Sequence, residues 1–283
     1  MLGQINQLID YKPKKYGGSV NFKIDYKDKW YPEMKPDYKE FDENLPDYWA
    51  MKYYDRFIAI SELIPVNIEN KYMIHPEILD VGCGMGRALS YFKKCGSKVL
   101  GVEPSEYAND NSRLAPLERI KGYLLDANIN KQFDVIHCEQ VLSHTPDAFE
   151  NLIRMKELLK DDGVLVIDEP NDNNPLQMIL QTRLGRYWET LDHVNYWDFE
   201  QMEELLNSVG FEVVKKTCTY PMEIFELMGE HYIGDELKGR ECHQKRYQFL
   251  YSLGHRKRIE LLESFAEKGW GRDQVLYCKK GES

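Results

Sequence analysis

Asp80-Val81-Gly82-Cys83-Gly84-Met85-Gly86 decides how this chain is read. The stretch continues the apolar run that starts at Ile78, and it precedes Arg87 to Cys95, whose apolar spacing is helical. A buried strand that ends in glycines and opens a helix is a ligand-binding device. The glycines allow a sharp turn and a close approach of backbone to ligand, and the helix start presents unpaired N–H groups. Dinucleotide sites of this kind space their glycines GxGxxG and set a pyrophosphate on the helix start. Here the spacing is Gly82-x-Gly84-x-Gly86, and Asp80 stands before the first glycine. A carboxylate at that point repels a phosphate and suits a ligand that carries an ammonium group.

Working outward, Lys98 to Val102 reads as a second strand ending at Glu103-Pro104, where a carboxylate can accept hydrogen bonds from both hydroxyls of a ribose. Dinucleotide enzymes also use that position, so Glu103 alone does not separate the cofactors. A third strand is expected at Tyr123 to Leu125, with Asp126 at its end as a partner for an adenine amino group. S-adenosylmethionine, an adenosine that bears an amino acid, satisfies all three carboxylates.

The rest of the chain continues the alternation. Ser105 to Leu114 reads as a helix capped by Ser105, Phe133 to Cys138 as a strand, and Asp147 to Leu159 as a helix. Asp161-Asp162-Gly163 reads as a turn before the fully apolar strand Val164 to Ile167. Upstream, Trp49, Tyr53, Phe57 and Ile60 recur at helical spacing within residues 47–63, ending near Pro65. Residues 171–197 form an irregular, partly helical excursion. Asp198-Phe199-Glu200-Gln201 has the form of a capping box, and its helix stops at Gly210. Phe211 to Val214 and Gln274 to Cys278 are the last strands, with mostly helical sequence from 221 to 269 between them.

The expected fold is therefore α/β: a doubly wound, seven-stranded, mostly parallel sheet with helical insertions after strands five and six. Residues 1–70 form an N-terminal segment and cap helix, 71–218 the cofactor-binding core with the excursion 171–197, and 219–283 a helical insertion plus the last strand.

Composition narrows the partners. The chain has 283 residues, 42% of them hydrophobic and 30% charged, with a net charge of −10. That supports a packed core and opposes a nucleic-acid polymer as substrate. No apolar stretch reaches membrane-spanning length. The six cysteines show no CxxC spacing, which fits a reducing, cytoplasmic compartment. A small-molecule acceptor is the expected partner, and a homodimer stays open.

The glycine loop, Glu103 after Val99-Leu100-Gly101-Val102, Asp126, and Phe133-Asp134-Val135-Ile136 closely resemble the motifs of Rossmann-like S-adenosylmethionine methyltransferases. Val141-Leu142-Ser143-His144-Thr145-Pro146-Asp147 is similar to the segment after that family's fourth strand, with Ser143 in place of the usual acid. Leu158 to Ile167 matches the helix, turn and fifth strand. The resemblance covers residues 76–170 well and 190–218 more loosely. It implies that S-adenosylmethionine is the donor and S-adenosylhomocysteine the product. The residues it points to for cofactor binding are Asp80, Gly82, Cys83, Gly84, Gly86, Glu103, Pro104, Asp126, Ala127 and Glu139, with Tyr53 and Arg56 from the cap helix.

In such an enzyme the cofactor carries the hard chemistry, and a hydroxyl acceptor additionally needs a base. Candidates at the carboxyl ends of the strands are His144, Glu169 and His193, with His231 behind them. Asp168, Glu169 and Asp172 raise the option of a hard cation, against the reading of an Asn-rich polar loop; no metal is expected. The segments 169–177, 193–197, 210–214 and 221–223 look like methyltransferases of bacterial cell-surface polysaccharide synthesis. That implies methyl transfer to an oxygen, in preference to a nitrogen, of a sugar, nucleotide-linked or phosphorylated precursor, with Arg183, Arg186, Arg240 and Arg246 available for phosphate. A quinone, lipid or secondary metabolite is the alternative, as is a non-catalytic cofactor-binding protein.

Overall fold

The computed structural model describes residues 46–64, 75–110, 117–190 and 192–281. Residues 1–45, read above as part of the N-terminal segment, lie outside this description, as does the end of the helix expected to run to Leu114. Chain order is α1 (Pro46–Leu63), β1 (Glu77–Val81), α2 (Arg87–Lys94), β2 (Lys98–Glu103), α3 (Glu106–Asp110), β3 (Arg119–Lys121), β4 (Phe133–Glu139), α4 (Ala148–Leu158) and β5 (Leu159–Pro170). Then follow α5 (Pro175–Leu184), α6 (Phe199–Val209), β6 (Phe211–Cys218), α7 (Glu223–Leu227), α8 (Glu236–Ser252), α9 (Gly254–Glu267) and β7 (Asp273–Lys280).

The seven strands form one sheet in the order β3-β2-β1-β4-β5-β7-β6, parallel except for β7, which runs antiparallel to both β5 and β6. The strand order reverses between β1 and β4, and the crevice outside the carboxyl ends there is where ligands of open α/β sheets bind.

Side chains alternate across each strand, and the two hydrophobic clusters sort by parity. Ile78, Val135, Val164 and Val166 pack with Tyr53, Ile60 and Phe92 of α1 and α2. Leu79, Ile136, Leu165 and Ile167 pack with α4 and α6 through Leu152, Met155, Met202 and Leu206. Both faces are covered, which is why the central strands read as continuous apolar runs. Each large side chain in these clusters contributes roughly 1.5–3 kcal/mol by leaving water.

Two expected elements differ. The third strand is Arg119–Lys121, and Leu124–Asp126 is a 3₁₀ turn. Tyr123 and Leu125 are exposed, and the run forms this turn in place of a buried strand. Residues 161–163 belong to β5, which starts at Leu159; the expected turn is an irregularity in its pairing with β4 between Phe133 and Val135. The capping box is present: the Asp198 side chain accepts from Gln201 N at 2.9 Å, and the Gln201 amide oxygen accepts from Asp198 N. Ser105 Oγ likewise accepts from Ala108 N at 3.1 Å. Among the described residues, no helix is long and apolar enough to cross a membrane.

Candidate active site

The glycine loop closes on the turn that follows β4. Gly82 has φ +67, and a Cβ there would stand 2.3 Å from Val141 Cγ2, so only glycine fits both the backbone and the contact. Gly86 caps α2 at φ +85, with its Cα face against the Arg119 guanidinium. Arg119, which the motif reading passed over, donates to Gly84 O at 3.1 Å and Met85 O at 2.8 Å. It braces the loop from β3, and only the pairing of β3 beside β2 brings it there.

Glu103 ends β2 and is buried. Its Oε2 accepts from Gly84 N and its Oε1 from Ser105 N, each at 2.8 Å. Burial raises its pKa, offset by those two N–H groups and by Arg119. A carboxylate has about four acceptor positions, so Glu103 holds the loop and keeps acceptor capacity for a ribose. Cys83 is buried beneath the loop, Pro104 is half-buried, Asp126 is exposed on the 3₁₀ turn and Ala127 is buried beside it.

Asp80, expected to meet an ammonium group, is 2% exposed. Its Oδ1 lies 2.7 Å from His137 Nδ1, and burial raises its pKa against the pull of His137. His137 Nε2 is 2.8 Å from Arg56 Nη1. Arg56 also donates to Glu139 Oε2 at 3.0 Å and to Asp168 Oδ2 at 2.6 Å. Lys52, one turn earlier on α1, pairs with Glu139 at 2.6 Å and Asp168 at 2.9 Å. Burial penalises Glu139, but Lys52 and Arg56 outweigh it and hold this carboxyl well below its usual range.

Asp80, His137, Glu139 and Asp168 all share strand parity with the apolar residues facing α1, so α1 meets them with Lys52 and Arg56 at i, i+4 spacing. Tyr53, placed with the cofactor in the sequence reading, is 4% exposed and stacks against Trp49 within the core.

On the opposite face Glu169 is fully buried. It accepts from Val141 N (2.8 Å), Leu142 N (2.7 Å) and Ser143 N (3.1 Å), which anchors the 3₁₀ turn Leu142–His144. Burial still pushes its pKa up to about 7.

His144 and His193, distant in sequence, come together with Asp192. Their rings stand edge to face at 4.6 Å, and His144 Nδ1 lies 3.0 Å from Asp192 O and 3.9 Å from Asp192 Oδ2. The segment bearing His193 is clamped to the turn: Val194 N donates to Ser143 O at 2.8 Å, and the Asn195 amide donates to Leu142 O at 3.0 Å and Thr145 O at 2.6 Å. Burial raises Asp192, but Thr190, His144 and His193 outweigh it and leave the carboxyl lowered. His231 sits apart, on Glu226.

The arginines considered for phosphate are mostly engaged. Arg183 pairs with Glu226 at 2.6 Å, Arg186 with Glu189 at 2.7 Å and Arg240 with Glu236 at 2.5 Å. Arg246 is buried against Tyr48 and His243. Of the acids weighed for a hard cation, Asp168 is held by Lys52 and Arg56 and Glu169 by backbone N–H groups, while Asp172 is buried with its pKa pushed well up by desolvation.

Residues 42–216, more than half of the chain, match the family model of the methyltransferase domain. The chain belongs to this family. Ubiquinone biosynthesis O-methyltransferase of Nitrobacter winogradskyi is 30% identical to this methyltransferase over 105 residues, 34% of this chain and 39% of that protein. The counterpart from Bradyrhizobium is 30% identical and covered to 40%, so the chain spans less than half the length of these curated relatives.

Among solved structures, an S-adenosylmethionine-dependent methyltransferase of Thermotoga maritima superposes with a TM-score of 0.55 at 17% identity, over 89% of this chain and 99% of that one. The 1,6-didemethyltoxoflavin-N1-methyltransferase of Burkholderia thailandensis, a complex with S-adenosylhomocysteine, gives 0.50 at 16% identity, over 89% and 87%. At these identities the likeness carries the fold. The domain's donor is S-adenosylmethionine, and the glycine cradle with Glu103 beneath it fits that group. The tie to surface-polysaccharide enzymes expected from residues 169–177 gains no support from these relatives, whose names point to ubiquinone biosynthesis.

Proposed function

We propose that this methyltransferase methylates a hydroxyl oxygen of a small organic acceptor of the phenol or quinol class. The observation that carries the reading is the group His144, Asp192 and His193, held together beside the turn that the glycine loop touches. A hydroxyl needs to lose a proton as its oxygen becomes the nucleophile, and an imidazole titrates in the right range to take it. The names of the curated relatives support an oxygen acceptor. Arg183, Arg186 and Arg240 each carry a carboxylate partner, which supports a small acceptor over a nucleotide-linked sugar.

Gly82, Gly84 and Gly86 hold the cofactor's backbone-facing side, Glu103 its ribose and Asp126 its adenine amino group, with Asp80 near the amino-acid end. S-adenosylmethionine supplies an electrophilic methyl group on a sulfonium. His193 takes the acceptor's hydroxyl proton, and His144 with Asp192 stabilises the resulting positive charge. Glu169 fixes the turn that carries His144, and α1 closes over the strand ends through Lys52 and Arg56.

The test is turnover with labelled S-adenosylmethionine on catechols and hydroquinones against nucleotide sugars, read by mass spectrometry. Methylated phenols are expected. Methylation confined to sugar nucleotides would sink this reading, as would S-adenosylhomocysteine binding without turnover on any hydroxyl.

A further inference from the structure

Two imidazoles and a carboxylate at the mouth of the sheet are also a ligand set. The donor atoms of His144, Asp192 and His193 all lie within 4.8 Å of one another. Around a tetrahedral ion with bonds of about 2.1 Å, ligand atoms stand roughly 3.4 Å apart. Side-chain rotations that move these atoms by about an ångström therefore close the set.

Two features make it a built site. Asp192 is buried, and the two histidines are half-buried, so the group is sheltered from water and still reachable. The two chain segments are fixed to each other by the backbone and Asn195 hydrogen bonds to Leu142, Ser143 and Thr145, and Glu169 fixes the turn beneath them.

We propose that His144, Asp192 and His193 bind one divalent transition-metal ion of the zinc or cobalt class, with open coordination positions toward the acceptor. Two imidazole nitrogens select such ions over Mg²⁺, which prefers all-oxygen sites. The site rests on the hydroxyl-acceptor reading and replaces only its base: with the ion bound His193 is a ligand, and the ion would bind the acceptor oxygen and favour its deprotonated form. The proton then leaves to solvent, and the O–CH₃ bond forms as the S–CH₃ bond breaks.

Metal binding is measured on the full chain after chelator dialysis, by calorimetric titration with Zn²⁺, Mn²⁺ and Mg²⁺ and by the visible absorption of added Co²⁺. One Zn²⁺ or Co²⁺ per chain is expected, with Mg²⁺ binding far weaker. His144→Ala, His193→Ala and Asp192→Asn should each weaken Zn²⁺ by roughly tenfold or more, with far-UV circular dichroism and urea midpoints confirming that each variant folds.

Absence of saturable binding overturns the site. So does binding that is equal in all three variants, which would place the ion elsewhere on the chain. Methyl transfer to phenols without any bound ion also overturns the site while leaving the hydroxyl reading intact. Stoichiometric binding lost in the variants, with no transfer to any hydroxyl, upholds the site and removes that reading.

Discussion

Asp80 and His137 are register partners on β1 and β4, joined through Oδ1 and Nδ1 at 2.7 Å. The acid before the glycine loop is thus the first member of a buried chain. It runs through His137 to Arg56, then to Glu139 and Asp168, and ends at Lys52. This chain ties the cap helix to the strand ends on both sides of the topological switch, so the helix that covers the site is held by charge as well as by packing.

Arg56→Met should be costly. It leaves Glu139 and Asp168 with Lys52 as their remaining lysine or arginine partner among the described residues, and removing one member of a buried charge group costs about 3–5 kcal/mol. Urea denaturation at neutral pH should show the midpoint fall by a corresponding amount. An unchanged midpoint would mean that the charge chain contributes nothing.

Arg119→Ala should act on the cofactor more than on the fold. The side chain is partly buried and donates to the carbonyls of Ala108, Gly84 and Met85. Losing the brace should weaken S-adenosylhomocysteine by roughly tenfold, or about 1.4 kcal/mol, with a melting temperature close to that of the parent. Calorimetric titration checks it.

Glu169 makes stability pH-dependent. Its pKa in the fold is about 7, against about 4.3 in the unfolded chain. A folded value above the unfolded one means that the fold holds the proton more tightly. The associated stability is full below about pH 4.3 and is lost as pH rises through 7, a change on the order of 3 kcal/mol. Urea midpoints from pH 5 to 8 should fall for the parent and fall less for Glu169→Gln. Parallel slopes would show that Glu169 does not titrate in that window.

His193→Ala should lower turnover on a phenolic acceptor by roughly 10²–10⁴-fold while leaving S-adenosylhomocysteine affinity unchanged, because the His193 ring packs on the His144 and Tyr196 rings. Single-turnover kinetics with a cofactor titration separates the two. Unchanged turnover removes His193 as the base.

The order of strands and helices, the glycine loop, Glu103 and the capping box at Asp198 were legible in the residues, because each depends on local spacing. The third strand was misplaced by a few residues, because Arg119–Lys121 carries a single apolar residue, Ile120, and is recognised as a strand by its pairing with β2. The role of Arg119 was invisible for the same reason. His144 and His193 could be nominated singly from their places after the strands, but their approach to 4.6 Å depends on the 192–195 segment folding back over the turn after β4.

By itself the sequence determined the layered α/β architecture and the donor's cradle, since periodicity and glycine conformation act over a few residues. Tertiary structure decided which charges are spent and which are left to do chemistry. Asp80, Glu139, Asp168 and Glu169 all end strands and look alike on paper. The parity of each strand sends Glu139 and Asp168 to the cations of α1, Asp80 to His137 beside them, and Glu169 to the backbone beneath the paired histidines. That sorting depends on register and on helix placement, and no local stretch of sequence contains either.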